Sequence, residues 1–170
     1  MSRAPSCPVL EELAAGQELP PLVSGPLLPP HLMRWSAAIE NWHRIHYDHP
    51  YAIGHEGLPG LLVNGSWKQH FVVQLLRRWA GSTAWVWKVE FRFRAMNVAG
   101  ETLTAWGRIT DVRPAHDFGL VEVETGIVNG DGVESTPGTA HVLVPRRDGP
   151  AIPEAREELL AALGSSVLQG

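Results

Sequence analysis

The spacing of the hydrophobic residues changes once along this chain, and the change limits which folds the chain can adopt. Between residues 64 and 81, in NGSWKQHFVVQLLRRWAG, large apolar residues recur every three or four positions, at Trp67, Phe71, Val72, Leu75, Leu76 and Trp79. This period predicts one long helix, and Gly81 is a suitable residue to end it. From residue 83 onward apolar and polar residues alternate instead, which is typical of β-strands.

Four segments beyond residue 83 have this alternating pattern. In AWVWKVEFRFRAM the apolar residues predicted to share one face are Trp85, Trp87, Val89, Phe91 and Phe93. The stretches ETLTAWGRITDV, GLVEVETGIVNGDG and GTAHVLVPRR continue the pattern, and NGDG is a tight-turn signal. Four strands in succession predict an antiparallel meander. We therefore expect an α+β protein with a single hotdog fold, in which a curved antiparallel sheet wraps a long central helix.

The rest of the chain is predicted to form short elements and loops. Residues 1–30 are rich in proline and indicate an extended segment, HLMRWSAAIEN has the spacing of a short helix that ends near Asn41, and NWHRIHYDHPYAIGHEGLPG has the proline and glycine content of a loop. Near the end, EAREELLAALG predicts a short helix outside the core. The expected domain plan is a flexible N-terminus over residues 1–15, a hotdog domain over 16–147 and a tail over 148–170.

Composition excludes several classes of function. The chain has 170 residues, which suits one domain, and its formal net charge of -4 comes without a block of Lys or Arg, so a sequence-independent grip on nucleic acid is not expected. The single Cys7 excludes an internal disulfide and a multi-cysteine zinc site. No segment resembles the apolar core of a signal peptide, and no apolar run approaches the roughly 18 residues that cross a bilayer. We expect a cytoplasmic protein that binds neither nucleic acid nor membranes.

The stretch NWHRIHYDHP, from Asn41 to Pro50, holds three histidines at a spacing of three: His43, His46 and His49. A zinc site would need a further ligand and a rigid frame, whereas Pro50 and the glycines after it argue against a continuous helix through these residues. We therefore predict no metal. Two other roles remain open from the residues alone: proton transfer by an imidazole, whose ordinary pKa is about 6.5, or a loop histidine hydrogen-bonded for structure.

The segment ENWHRIHYDHPYA resembles the signature of the MaoC-like (R)-specific enoyl-CoA hydratases, G-D-x-N-P-I-H-x-D-x-x-Y-A. In this alignment Asn41 takes the place of the family's catalytic aspartate and His46 that of its catalytic histidine. GLPGLLVNGSW resembles the segment that ends in His-Gly before the central helix, and FRFRAMNVAGETLTAWGRIT resembles a later strand pair. With NWHRIHYD and PGLLVNG, the chain is similar to the Asn-bearing branch that includes mesaconyl-CoA hydratase-like proteins.

This resemblance implies an acyl-CoA hydratase/dehydratase that acts reversibly at the 2,3-double bond of an enoyl thioester. By the same resemblance His46 is the general acid/base, Asn41 positions the water and the Gly65 N–H holds the thioester oxygen. The residues expected to bind substrate are Trp42, His43, Asn64 and Ser66. No metal or redox cofactor is implied, since coenzyme A or an acyl-carrier thioester is part of the substrate. A homodimer or a dimer of dimers is expected, or a heteromer with another hotdog chain.

Two alternatives remain for the function, and both concern the hotdog fold. The Asn41 amide cannot accept a proton from water at neutral pH, which favours a non-catalytic or co-catalytic MaoC-like subunit of a heteromeric hydratase. A hotdog acyl-CoA thioesterase is the other alternative.

Arg92 and Arg94 also have two possible roles. They either contact coenzyme A phosphates or form a solvated strand face.

Overall fold

The computed structural model describes residues 7–153 and 156–163 and shows a five-stranded antiparallel sheet packed against one long helix. The elements in chain order are a 3-10 helix (Leu10–Glu12), β1 (Leu22–Ser24), α1 (Pro29–Ala38), a second 3-10 helix (Arg44–His46), α2 (His49–Gly54), α3 (Gly65–Ala80), β2 (Trp85–Phe91), β3 (Leu103–Ala115), β4 (Phe118–Asn129), β5 (Gly138–Val144) and α4 (Arg156–Leu163). Residues 1–6, 154–155 and 164–170 of the predicted termini lie outside the described residues.

The long helix α3 confirms the prediction made from its apolar period. The Asn64 side chain caps its first turn, and Gly81, at a positive φ of 75°, follows its last residue. Its apolar stripe is buried in the main core, at Phe71, Val72, Leu75 and Leu76. Burying each of these side chains contributes roughly 1.5–3 kcal/mol relative to leaving it exposed.

The strand order β1-β3-β4-β5-β2 corrects one part of the predicted meander. Strands β3, β4 and β5 do pair in succession, but β2 pairs with β5 and not with β3. The reason is that β1 already occupies the outer edge of β3, through the pairs from Leu22 with Ala105 to Ser24 with Leu103. The free side of β5 is then where β2 adds.

Strand β2 does not keep its apolar residues on one face as predicted. Its pairing with β5 shifts register between Val86 and Lys88, and a shift of one residue exchanges the two faces. Trp85 and Trp87 consequently pack in a second buried cluster, while Val86 contacts the main core. Phe93 lies beyond the end of the strand, with 54% of its surface exposed.

The short elements agree only partly with the predictions. Helix α1 forms as predicted, although it begins at Pro29. The predicted loop is wrong between His49 and Gly54, where α2 forms. The Asp48 side chain accepts a hydrogen bond from the Tyr51 N–H, and Pro50 has no N–H that would need an acceptor in the first turn.

The two ends of the described chain pack against the sheet. Leu10 is buried in the main core, and its N–H donates to the Pro145 carbonyl oxygen at 2.9 Å. At the other end, the predicted short helix forms as α4, but the expectation that it lies outside the core is wrong, because Leu159 is buried in the second cluster beside Phe118. The predicted domain limits remain a prediction. Among the described residues, no helix combines the length and apolar character that crossing a membrane requires.

Candidate active site

His46 lies in the short turn between α1 and α2, with only 8% of its surface exposed. The distance from its Nδ1 to the Leu62 carbonyl oxygen is 2.9 Å, and the Leu62 N–H in turn donates to the Ile45 carbonyl oxygen at 3.0 Å. A carbonyl oxygen only accepts hydrogen bonds, so the proton of the neutral ring is on Nδ1. The other ring nitrogen, Nε2, therefore carries the lone pair.

Burial lowers the pKa of His46 below its ordinary value of 6.5. The hydrogen bond to Leu62 opposes this shift, and the neighbouring His43, whose ring centroid is 6.2 Å from that of His46, adds to it. Desolvation penalises the charged form of an imidazole, and it is the largest cause here. At neutral pH the His46 side chain is thus a neutral base.

Asn41 and Trp42 belong to the loop that leads into His46. The Asn41 Oδ1 accepts a hydrogen bond from the His43 N–H at 3.1 Å, and the Trp42 carbonyl oxygen accepts one from the Tyr47 hydroxyl at 2.7 Å. Both bonds hold the loop backbone in one path. The Trp42 ring itself is 58% exposed.

The N-terminal end of α3 brings Asn64, Gly65 and Ser66 together. The Asn64 Oδ1 accepts from the Ser66 N–H at 3.0 Å and from the Ser66 hydroxyl at 2.7 Å. The Trp35 Nε1–H donates to the Ser66 hydroxyl at 2.9 Å, so this hydroxyl donates one hydrogen bond and accepts another. These bonds fix which end of the Asn64 amide is oxygen and which is nitrogen.

Two N–H groups at this helix end have no hydrogen-bond partner among residues 7–153 and 156–163. One is the Asn64 Nδ2, whose side chain is only 5% exposed, and the other is the backbone N–H of Gly65. A buried donor without a partner is costly, which makes it ready to bind an acceptor from a ligand. A Cβ at Gly65 would lie 3.0 Å from the Phe93 ring, so glycine suits the close packing there.

A cavity and a groove adjoin this helix end. The cavity has a volume of about 10 Å³, room for about one water, and it touches Asn64, Val63, Trp35 and Trp67. The groove has a volume of about 630 Å³ and runs between α1 and the segment 24–27. Trp35 and Trp67 line both spaces. Because Leu62, Val63 and Asn64 are consecutive, one wall of the small cavity is formed by the two residues that follow the carbonyl holding His46.

The three histidines of the loop do not converge on one point. His46 is buried, whereas His43 is exposed and His49 begins α2 on the surface. Across residues 7–153 and 156–163, no three His, Cys, Asp or Glu side chains are grouped as a metal site requires. Arg92 and Arg94 are exposed in the segment after β2, and their predicted role remains open.

Lys68, near the N-terminal end of α3, is a buried charged residue that sequence reasoning missed. It is only 4% exposed, and its Nζ donates to the Ala95 carbonyl oxygen at 3.0 Å and to the Asn97 Oδ1 at 3.1 Å. Burial lowers the pKa of Lys68 to about 8, against the opposing charge of Glu101. The signal was available, because position 68 is three and four residues before Phe71 and Val72 and so belongs to the buried stripe of α3.

Comparison with known proteins agrees with this fold. Residues 22–101 match the family described as hydroxyacyl-thioester dehydratase type 2. Over 65 residues the chain is 45% identical to mesaconyl-C(4)-CoA hydratase from Chloroflexus aurantiacus, a match covering 35% of this chain and 23% of that protein. A MaoC-like dehydratase from Rhodospirillum rubrum superposes with a TM-score of 0.71 at 19% identity, covering 82% of this chain and 97% of that one. The chain therefore resembles the MaoC-like hydratases and dehydratases in both sequence and fold.

Two more solved structures share the hotdog fold of this chain. The (R)-hydratase from A. caviae superposes with a TM-score of 0.71 at 20% identity, covering 79% of this chain and 99% of that one. The ChsH1-ChsH2 complex from Mycobacterium tuberculosis gives 0.68 at 23% identity, covering 78% of this chain and 98% of the matched one. At such identities the likeness concerns the fold. The chain spans about a quarter of the length of the curated hydratase that it matches.

Proposed function

We propose that this protein is an acyl-thioester hydratase/dehydratase that acts reversibly at the 2,3-double bond of an enoyl thioester. The observation that carries the proposal is the state of His46, a buried neutral imidazole whose Nδ1–H is held by the Leu62 carbonyl oxygen at 2.9 Å. Adding water to a double bond requires a group that takes a proton and then returns it, and an imidazole does both near neutral pH. The free Nε2 of His46 is suited to this role.

The proposed hydration forms a C3–O bond and a C2–H bond and breaks one O–H bond of water. His46 Nε2 takes the proton as the water oxygen attacks C3, and the electron pair of the double bond moves through C2 toward the thioester oxygen. The imidazolium then gives its proton to C2. Dehydration follows the same steps in reverse.

Asn41 is proposed to position the attacking water. Its amide donates and accepts hydrogen bonds but cannot take the proton at neutral pH, so the proton transfer falls to His46. The Asn41 Oδ1 accepts from the His43 N–H at 3.1 Å, and this bond orients the amide. The exposed Trp42 and His43 are proposed to contact the substrate at the open side of the loop.

The N-terminal end of α3 is proposed to hold the thioester oxygen. Negative charge develops on this oxygen during the reaction, and the N-terminus of a helix stabilises such charge through its N–H groups and its dipole. The Gly65 N–H is the proposed donor, with the buried Asn64 Nδ2 as a second one. Ser66 contributes by orienting Asn64, since its hydroxyl donates to the Asn64 Oδ1 at 2.7 Å.

The proposal extends to the cofactors, the oligomeric state and the location of the protein. Proton transfer and N–H donors suffice for the chemistry, so we propose no metal or redox cofactor and a substrate carried on coenzyme A or a carrier protein. A homodimer or a dimer of dimers is supported by β2, an edge strand whose outer side pairs with no described strand. The proposed location is the cytoplasm.

The test supplies the purified chain with a panel of 2-enoyl-CoA thioesters and follows the loss of the conjugated absorbance. His46→Gln should lower kcat by about 10²- to 10⁴-fold, the usual contribution of a general acid/base. His49→Gln, in the same loop but exposed, is the matched control and should retain turnover. Undiminished turnover in His46→Gln would refute the proposal, and release of free thiol without hydration would identify a thioesterase.

The second candidate function is a subunit of a heteromeric hydratase. Asn41 favours it, and the fold neighbour in the ChsH1-ChsH2 complex supports it. If this candidate is right, the chain alone binds acyl-CoA without turnover, and a second hotdog chain that supplies a carboxylate restores it. Gain of turnover in Asn41→Asp alone would show that the missing carboxylate, and not an unformed pocket, is the reason.

A further inference from the structure

The buried Lys68 links α3 to the chain segment that follows β2. Its Nζ donates to the Ala95 carbonyl oxygen at 3.0 Å and to the Asn97 Oδ1 at 3.1 Å. The Asn97 Nδ2 donates to the Glu101 Oε2 at 2.9 Å, and the Glu101 Oε1 accepts from the Val98 N–H at 2.8 Å. Asn97 is therefore fixed at both ends of its amide.

The segment 95–99, which Lys68 contacts, is hydrogen-bonded through its backbone to the segment 61–63 beside His46. The Val63 N–H donates to the Asn97 carbonyl oxygen at 2.8 Å, and the Ala99 N–H donates to the Leu61 carbonyl oxygen at 2.8 Å. Leu62, between these two bonds, faces Val98 across an isolated bridge. Hydrogen bonds thus connect the Lys68 Nζ through Asn97 to the Val63 N–H, and the peptide bond of Val63 leads directly to the Leu62 carbonyl.

Leu62 contacts the turn that contains Ile45 and His46 through both its backbone N–H and its carbonyl oxygen. Its N–H donates to the Ile45 carbonyl oxygen at 3.0 Å, and its carbonyl oxygen accepts from the His46 Nδ1–H at 2.9 Å. The position of this one carbonyl oxygen determines which nitrogen of His46 carries the proton. A displacement of the 61–63 segment would therefore change the tautomer of His46.

We propose that Lys68 is a positioning residue, which fixes the protonated nitrogen of His46 through Asn97 and the backbone of Leu62. Lys68 does not contact the reacting atoms in this proposal. It anchors the segment 95–99 to α3. The segment 61–63, which is hydrogen-bonded to 95–99, then holds the Leu62 carbonyl oxygen in one position. Without the anchor, the proton distributes between Nδ1 and Nε2, and a fraction of the molecules lose the free base.

The test measures the ring ¹⁵N chemical shifts of the full chain labelled at histidine, with the His46 signals assigned from His46→Gln. The wild type should show one tautomer, protonated at Nδ1, and Lys68→Met should show a mixture of both. Thr125→Val is the matched control, since Thr125 is equally buried and its hydroxyl donates to the Trp106 carbonyl oxygen at 3.0 Å inside the sheet. This control should keep the single tautomer.

Activity gives a second readout, which rests on the proposed function whereas the tautomer does not. With a 2-enoyl-CoA substrate, Lys68→Met should lower kcat by about tenfold, with a smaller change in KM, because the base and not the binding surface is disturbed. If the wild type shows one tautomer but hydrates no thioester, the proposed function fails and the positioning role stands.

Two results would overturn the positioning role. One is a folded Lys68→Met that keeps the Nδ1–H tautomer unchanged. The other is an equal loss of the single tautomer in Thr125→Val, which would mean that any loosening of the core disturbs His46. If Lys68→Met does not fold, Lys68→Gln replaces it, because the shorter amide keeps a polar group in the stripe but cannot span both acceptors, and the same mixture is expected.

Discussion

The two ends of α3 are built from different chemistry. Its N-terminal end buries the polar side chains of Asn64 and Lys68 beside a groove, whereas its C-terminal half buries Leu75 and Leu76 in the main core. Burying a polar group destabilises the fold unless the group is hydrogen-bonded, whereas burying an apolar group stabilises the fold. The comparison shows that the same helix carries the candidate site at one end and anchors it at the other.

The largest expected effect concerns the apolar half. Leu75→Ala removes a fully buried side chain from the main core and should lower the free energy of unfolding by about 2–5 kcal/mol, because a cavity remains. Urea unfolding followed by tryptophan fluorescence measures this change. Ile53→Ala, at an exposed position, is the control and should change it little. If Leu75→Ala instead lowered turnover per folded molecule and left unfolding unchanged, the division between the two ends would be wrong.

Glycine substitutions at the two ends sharpen the comparison. At Gly65 a Cβ meets the Phe93 ring at 3.0 Å, so Gly65→Ala should push the exposed Phe93 ring away from the first turn of α3, disturb the packing around the Gly65 N–H and lower kcat by about tenfold. At Gly81 the φ of 75° strains any other residue, so Gly81→Ala should lower the free energy of unfolding by about 1–2 kcal/mol. Steady-state kinetics and thermal melts of both variants are the measurements. Equal kinetic losses at both ends would contradict the assignment of the site to the N-terminal end.

The smallest effect concerns pH. Burial lowers the pKa of His46 in the folded protein below 6.5, so the unfolded chain binds the proton first as the pH falls. The stability that His46 contributes is therefore complete above pH 6.5 and decreases below it, until the pH passes the folded pKa. Thermal melts between about pH 5 and about pH 8 should show wild type and His46→Gln diverging only on the acidic side. Divergence on the alkaline side would contradict this sign.

Elements with a clear period could be predicted from the sequence. The repeat from Trp67 to Trp79 located α3, and alternation located the strands, because each pattern reflects which side chains face the core. The partner of β2 could not be predicted, since alternation describes the faces of a strand and says nothing about its neighbours. The bulge between Val86 and Lys88 likewise depends on pairing with β5.

The candidate site could be predicted in part. The loop motif indicated His46, and the long helix indicated that Gly65 stands at its start. The partner that holds the His46 ring could not be predicted, because a backbone carbonyl leaves no mark in the identity of residue 62. Lys68 was overlooked because lysine is expected at the surface, although its place in the stripe of α3 argued otherwise.

The contact between His46 and a backbone oxygen has a consequence for how this chain tolerates change over evolution. Every amino acid carries a carbonyl, so drift at position 62 leaves the acceptor for His46 in place, and selection there acts on size and on the path of the chain. Proline is the exception, because it lacks the N–H that reaches the Ile45 oxygen. A collection of variants randomised at position 62 should thus stay functional with most small apolar residues and lose function with proline.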